Sequence, residues 1–459
     1  MAQRAEQSTK KWLETLREQM PRGPRRAVVL GGGGARGSYQ IGVWKALREL
    51  DYRYEVVAGT SVGALNGCLM VQQDYEIAVE LWESLQTQNV IELPQSAQEL
   101  SGFAALHDFI VHFLRNGGVD PTPLENMLAR CLDEEKVMGS PIAFGFVTVE
   151  FPSLKPVVLT KEQIPPGKLC DYLMASAACF PAMMKRQIDD KSYIDGAYYN
   201  NLPIQIALEK GADEIVAVDL DAPGIVQPVK LRGQQLRYVR CHWPLGTSLA
   251  FDPSLAKRNM RLGYLDTMKA FGQLEGVAFA FSKGELGGTY CQSVCRKFEA
   301  LCRGESGVER LARWRVQSAV NREKTGNRGD LYPEVFGAME LTGELFALSP
   351  LEEYRWEQFH RELLGRLEEA KACYQNLLSA LSLPTGQLLR DAGGAGKLFQ
   401  ALRENDKQLM VVYLMECLLG RQTLPGGEDG LCLVGATFSR ELAAAIYLCA
   451  LIQENDPSL

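Results

Sequence analysis

Three short stretches hold residues whose types and spacing could do chemistry. Ser61 stands in Gly59-Thr60-Ser61-Val62-Gly63, a G-x-S-x-G directly after the apolar run Val56-Val57-Ala58. Small residues two before and two after a serine let a strand turn sharply into a helix, which leaves the hydroxyl exposed at the helix start and makes Ser61 a candidate nucleophile. A serine at neutral pH is a weak nucleophile and needs a positioned base. The chain has four histidines: His107 and His112 precede any plausible acid motif, His360 falls in the helical part, and His242, in "RCHWPLG", fits the order serine, acid, histidine of a hydrolase triad. The other base in reach of the argument is Asp195, in "KSYIDGAYYNNLPI", where a short strand-like run ends and Gly196-Ala197 would let a substrate or another backbone come close.

The third stretch is glycine-rich. Ala27-Val28-Val29-Leu30 runs into four consecutive glycines, and Gly32, Gly34 and Gly37 satisfy G-x-G-x-x-G between a strand and a helix. A dinucleotide site with that fingerprint also needs an Asp or Glu at the end of the second strand, to take the ribose hydroxyls. Here the second strand runs into "GTSVGALNG" instead, so a nicotinamide-dependent oxidoreductase is the weaker reading. Uncovered backbone N–H groups suit an oxygen that becomes negative during acyl transfer.

Glycine loop, G-x-S-x-G and Asp-Gly-Ala, in this order and each at a strand end, resemble the patatin-like phospholipase family of serine lipid acyl hydrolases. The likeness covers about residues 25–275 and includes "MASAACFPAMM" before the aspartate, "DGAYYNNLPI" around it and "LGYLDT" at 262–267. The resemblance implies a Ser-Asp dyad without histidine, with Ser61 as nucleophile and Asp195 as its acid. It matches Gly32, Gly33 and Gly34 to the loop whose amides bind the oxyanion, and Arg36 to the basic position of that loop beside Gly37. Ala197 replaces the commoner glycine. The expected chemistry is hydrolysis of phospholipid or related esters through an acyl-enzyme, with no cofactor and no metal. A free Asp has a reference pKa of about 3.9, so a base at Asp195 is expected to be shielded from water with its pKa raised. Arg36 is expected to orient the loop through carbonyls rather than to meet a phosphate headgroup. Leu65, Met174, Phe180, Met183 and Met184 are candidates for an acyl site. The alternatives are a Ser-His-Asp esterase using His242 and a catalytically silent interaction protein.

The elements that must position these residues follow from periodicity. Aliphatic runs at 27–30, 56–58, 142–149, 156–159 and 214–219 alternate with helical segments such as 38–50 and 74–86, which predicts an α/β fold: a mostly parallel sheet sandwiched by helices, with the site at the carboxyl ends of the strands. Beyond about residue 280 the segments 297–321, 351–382, 395–420 and 437–453 have helical spacing. The expected organisation is an N-terminal arm (1–26), a catalytic domain (27–279) and an all-helical C-terminal domain (280–459) with an open role or partner. In the arm, Trp12, Leu13, Leu16 and Met20 share one helical face among seven Lys and Arg and three Glu, which suits packing on its own domain or an interfacial membrane contact.

The 459 residues are enough for two cores, and a formal charge of -7 supplies no basic field for nucleic acid. Twelve scattered cysteines, several within apolar segments, suit a reducing compartment. Cys291, Cys295 and Cys302 lack a fourth ligand for zinc. The charged N-terminus does not read as a secretory signal, and no segment reads as a membrane span. A cytoplasmic protein, acting on lipid at a membrane surface, is the expectation.

Overall fold

The computed structural model describes residues 23–90, 119–302, 334–381, 401–402, 407–421 and 437–455. The N-terminal amphipathic segment, His107 and His112 lie outside these residues, as does most of the predicted helix at 297–321. The chain divides into two compact units, one of residues 1–241 and 245–264, the other of residues 242–244 and 265–459. The division therefore falls inside the helix Pro253–Ala270, earlier in the chain than 279/280.

The first unit is built on an eight-stranded sheet in the order β5-β6-β3-β2-β1-β7-β8, with β4 on the other side of β3. Its parallel part is β3 (Ala143–Phe151), β2 (Val56–Thr60), β1 (Arg26–Leu30), β7 (Glu214–Asp219) and β8 (Gln235–Arg240). The predicted runs at 27–30, 56–58 and 214–219 are central strands of this sheet. Covered on both faces, such strands read as continuous Val, Ala and Ile rather than as an alternation, and β2 is buried at every residue. Three strands run antiparallel to β3 or to each other: β4 (Lys155–Thr160), β5 (Arg186–Ile188) and β6 (Lys191–Asp195).

Helix α1 (Ser38–Glu49) follows β1, and α2 (Val62–Gln72) follows β2. Every residue of α2 is buried. A helix buried all round shows no apolar stripe, so its polar residues must find internal partners. Helices α3 (Tyr75–Ser84), α4 (Thr122–Cys131), α5 (Leu169–Ser176), α6 (Ile204–Glu209) and α7 (Pro253–Ala270) complete the elements used below.

In the second unit, helices Glu334–Leu345, Trp356–Ala380, Lys407–Leu418 and Ser439–Asn455 pack around Phe359, Leu363, Tyr374, Tyr413 and Tyr447. This is the helical region that the spacing predicts. It also carries a three-stranded sheet, β9 (Leu274–Glu275), β10 (Ala280–Ser282) and β11 (Glu353–Tyr354), whose strands are too short to leave a period-two signal. Among the described residues no helix is long and apolar enough to cross a membrane.

Candidate active site

Ser61 sits between β2 and α2 with φ 56° and ψ −129°. A non-glycine residue at positive φ costs about 1–3 kcal/mol and persists only where its surroundings over-determine it. Two glycines make the turn possible. A Cβ on Gly59 would lie 2.2 Å from the Gly63 carbonyl oxygen, and one on Gly63 would lie 2.2 Å from that of Leu30. Both approaches are to backbone, so neither can be relieved by moving a side chain. The Ser61 N–H donates to Ser176 Oγ at 3.0 Å, and Ser176 Oγ donates in turn to the Val147 carbonyl at 2.6 Å. One buried hydroxyl thus holds the strained residue by its backbone to the neighbouring strand.

Asp195 ends β6, and the register of β3 decides where it falls. Along one edge of β3 the first residues pair with β2, ending at Thr60 opposite Val147. The following residues of the same edge pair with β6, beginning at Asp195 opposite Thr148. The carboxyl ends of β2 and β6 therefore meet at consecutive positions of one strand. Gly196 lies in the junction, where a Cβ would be 2.2 Å from the Val147 carbonyl oxygen and 2.9 Å from Thr60 Cγ2.

The Asp195 side chain is buried (3 % exposed), as is Ser61 (9 %). Asp195 Oδ1 accepts the Ala197 N–H at 2.8 Å, and the carboxyl also hydrogen-bonds the Ser61 side chain. Burial pushes its pKa up from 3.8 to about 6, against the smaller lowering by those two donors. Desolvation outweighing hydrogen bonding is the shielding expected of a base at this position.

The glycine loop is tied down on several sides. Gly31 N–H donates to the Val218 carbonyl, Gly32 N–H to that of Asn201, Ala35 N–H to that of Ser248 and Arg36 N–H to that of Gly33. Among the described residues this leaves the N–H groups of Gly33 and Gly34 without an acceptor. Gly32 is thereby separated from the other two glycines matched to the oxyanion loop. Its own requirement for glycine is steric, since a Cβ would lie 2.4 Å from Asn201 Oδ1 and 3.0 Å from Ser61 Cβ. Gly34 has φ +55°, and a Cβ there would be 2.0 Å from the Ser248 carbonyl oxygen. The Arg36 guanidinium donates to the main-chain carbonyls of Gly246 (2.8 Å), Leu220 (3.1 Å) and Asp221.

Ser61, Asp195, Gly33 and Gly34 face a cavity of about 240 Å3. Its walls are almost wholly apolar: Leu65 and Leu69 of α2, Leu81 and Trp82 of α3, Leu124 and Leu128 of α4. Of the residues that sequence reasoning put forward for an acyl site, Leu65 and Met183 line the cavity. Met174 instead belongs to the core, Phe180 packs against Phe151 with ring centroids 5.4 Å apart, and Met184 is exposed. Periodicity within a helix cannot separate a core face from a cavity face, so that part of the reading had no local signal.

Of the four histidines, two are described. His242 Nε2 lies 2.6 Å from Glu344 Oε1 within the second unit. His360 is buried there against Trp356 and Tyr447, which lowers its pKa to about 4. No group of three or more His, Cys, Asp or Glu among the described residues is placed to hold a metal. Sequence reasoning overlooked Ser176, Asn66, Gln40 and Asn201. A signal existed for Asn66 and Gln40, single amides in otherwise apolar helical turns, because a buried amide must be hydrogen-bonded to something.

Residues 28–208 match the family model of the patatin-like phospholipases. Patatin-like phospholipase domain-containing protein 7 of Rattus norvegicus is 24 % identical over 197 residues, 42 % of this chain and 13 % of that protein. Neuropathy target esterase sws of Drosophila melanogaster is 28 % identical over 265 residues, 54 % of this chain and 16 % of that protein. Patatin-like phospholipase domain-containing protein 6 of Homo sapiens is 28 % identical over 197 residues, 42 % of this chain and 13 % of that protein. The chain thus spans less than a fifth of the length of these relatives. Among solved structures, VipD from Legionella pneumophila aligns over 92 % of this chain and 90 % of its own at 11 % identity with a TM-score of 0.33. The type III effector ExoU aligns over 86 % and 89 % at 14 % identity with a TM-score of 0.31.

Proposed function

We propose that the chain, whose residues 28–208 match the patatin-like phospholipase family model, hydrolyses carboxylic esters of phospholipids or related lipids through a Ser61-Asp195 dyad. The observation that carries the proposal is the pairing of a strained Ser61 with a shielded Asp195 of raised pKa at the wall of an apolar cavity.

In this mechanism Asp195 takes the Ser61 proton as Oγ attacks the acyl carbonyl. The carbonyl oxygen becomes negative, and the free N–H groups of Gly33 and Gly34 receive it. Each such donor is worth about 3 kcal/mol of the barrier in a water-excluded site. Collapse of the tetrahedral species breaks the ester bond, and the alcohol leaves with the proton held by Asp195. The acyl group then sits on Ser61 Oγ. Water gives a proton to Asp195 and attacks the acyl carbon, a second tetrahedral species forms, and Ser61 regains its proton as the fatty acid departs. Arg36 keeps the loop in place through carbonyls. The apolar walls take the acyl chain, and the lipid is met at a membrane surface.

The experiment is hydrolysis of a short-chain p-nitrophenyl ester and of phosphatidylcholine vesicles by wild type, Ser61→Ala, Asp195→Asn and His242→Ala, with mass spectrometry after a fluorophosphonate probe. The expected result is turnover and labelling lost with Ser61, turnover lost with Asp195, and both kept without His242. Activity lost in His242→Ala and retained in Asp195→Asn would replace the dyad by a triad, and a wild type that neither turns over nor labels would overturn the catalytic reading.

A further inference from the structure

The glycine loop is held from inside by a chain of buried amides that no step of the reaction uses. Trp82 Nε1 donates to Asn66 Oδ1 at 3.0 Å. Asn66 Nδ2 donates to the Gly37 carbonyl at 3.0 Å and to Gln40 Oε1 at 2.8 Å. Gln40 Nε2 donates to the Gly31 carbonyl at 2.7 Å. Gly31 and Gly37 are the two ends of the loop, so a side chain from α2 and one from α1 grip it at both.

The polarity of this chain is forced. An indole nitrogen only donates and a carbonyl oxygen only accepts. Asn66 must therefore turn its oxygen to Trp82 and its nitrogen to Gly37, and Gln40 must turn its nitrogen to Gly31 and its oxygen to Asn66. Rotating either amide by half a turn sets like atoms against each other at both of its ends. Gln40, Asn66 and Trp82 are 1 %, 2 % and 4 % exposed, so water cannot replace a lost partner, and an orphaned member bears the full desolvation penalty. Packing follows the same path: a Cβ on Gly37 would lie 2.9 Å from Trp82 Cζ2 and 2.5 Å from Val62 Cγ2, so the loop end is pressed against the indole that begins the chain. Asn66 also lies on α2, the helix that Ser61 caps and whose first turn is bonded to the Ser61 carbonyl through the Ala64 and Leu65 N–H groups. The nucleophile and the loop therefore share one reference frame.

We infer that Asn66 is a positioning residue that, through Gln40 and Trp82, fixes the Gly33 and Gly34 amides relative to Ser61. This deepens the proposed hydrolase reading and rests on it for its catalytic consequence, while its structural consequence can be read without any turnover. A loop displaced by 1 Å costs on the order of 10²-fold in rate because the donors no longer face the developing charge. Substrate binding, which depends on the apolar walls, is left nearly as it was when Gln40, which lines no part of the cavity, is changed.

The test compares full-length wild type, Asn66→Leu, Gln40→Leu, Trp82→Phe and the Asn66→Leu/Gln40→Leu pair. Leucine keeps the branched four-atom outline of asparagine and falls one heavy atom short of glutamine, so packing alone predicts little change in Asn66→Leu and a small one in Gln40→Leu, whereas Trp82→Phe removes the N–H together with part of a buried ring. Hydrogen exchange is measured on peptides covering residues 31–37, whose Gly31, Gly32, Ala35 and Arg36 amides are bonded in the intact loop. The expected result is exchange there faster by about tenfold or more in Asn66→Leu, with β1 and β2 unchanged, and a smaller effect in Trp82→Phe. On p-nitrophenyl esters kcat falls by about 10²-fold in Asn66→Leu and Gln40→Leu, KM moves by less than about threefold in Gln40→Leu, and the pair is no worse than its more damaging member. Unchanged loop exchange in Asn66→Leu overturns the inference whatever the activity. If Asn66→Leu fails to fold, Trp82→Phe and Gln40→Leu carry the same exchange criterion. An inactive wild type with a loosened loop in the variants would sink the hydrolase reading and leave the positioning role standing.

Discussion

Thr60 and Asp195 occupy consecutive places along one edge of β3, opposite Val147 and Thr148. The two strands that end there approach from opposite directions, so the residue after the first and the last residue of the second meet. The Ser61-Asp195 pair is thus a property of strand register, and each prediction below perturbs that junction, the loop beside it or the cavity in front of it.

The first concerns pH. Asp195 must be ionised to take the serine proton, and burial holds its pKa near 6 rather than 3.8. Activity, measured as kcat/KM on a neutral ester, rises with pH through an apparent value near 6 and is lost below it. A limb in the ordinary carboxylate range, about 3.9, would contradict the shielding of this carboxyl.

Stability has the opposite dependence. A carboxyl whose folded pKa is raised binds more protons folded than unfolded, so it destabilises the fold as pH climbs from 3.8 towards 6. A shift of about two pKa units at about 1.36 kcal/mol each makes this on the order of 3 kcal/mol at pH 7. Asp195→Asn is therefore expected to unfold later in urea than wild type at pH 8, with the advantage shrinking towards zero near pH 4. Equal midpoints at pH 8 would count against it.

Ser176→Ala removes the acceptor of the Ser61 N–H and leaves that group buried and unpaired. Destabilisation of about 1–3 kcal/mol is expected, along with a drop in kcat as Ser61 relaxes from its positive φ. Denaturant titration and ester kinetics on the same preparation check both, and a variant that matches wild type in each would show that the turn holds itself.

Arg36→Lys should weaken hydrolysis of neutral p-nitrophenyl esters and of anionic phospholipids by the same factor, because the guanidinium is occupied by three carbonyls and an ammonium cannot reach all of them from one point. A loss confined to the phospholipids would assign Arg36 to the headgroup.

The cavity runs beside α2 from Val62 to Leu69, about 10 Å at 1.5 Å per residue. Leu69→Trp should shorten it. Excluding three methylenes at about 0.8 kcal/mol each predicts a loss of about 50-fold in kcat/KM for decanoyl esters, with acetyl esters within about threefold. Equal losses on both chain lengths would place the acyl chain elsewhere.

The sequence by itself determined what backbone sterics decide within a few residues. Gly59, Gly63 and Gly196 each stand where a Cβ would strike a carbonyl oxygen 2.2 Å away, and short apolar runs ending in such glycines announce strand ends and turns without help from the rest of the chain. The parallel core of the sheet was legible for the same reason, since β1, β2 and β7 are buried on both faces and need uninterrupted apolar residues. Tertiary structure alone decided the rest. Which acid meets Ser61 depends on the register of β3, and the hydrogen bond that steadies Ser61 comes from Ser176, 115 residues away. Gly32 looks like its neighbours in the sequence, yet its N–H is taken by Asn201. The cavity walls come from α2, α3 and α4, whose apolar faces have the same spacing whether they meet a core or a cavity. A hydrogen bond or a wall between distant segments has no local period, so it can be read only once the chain has folded back on itself.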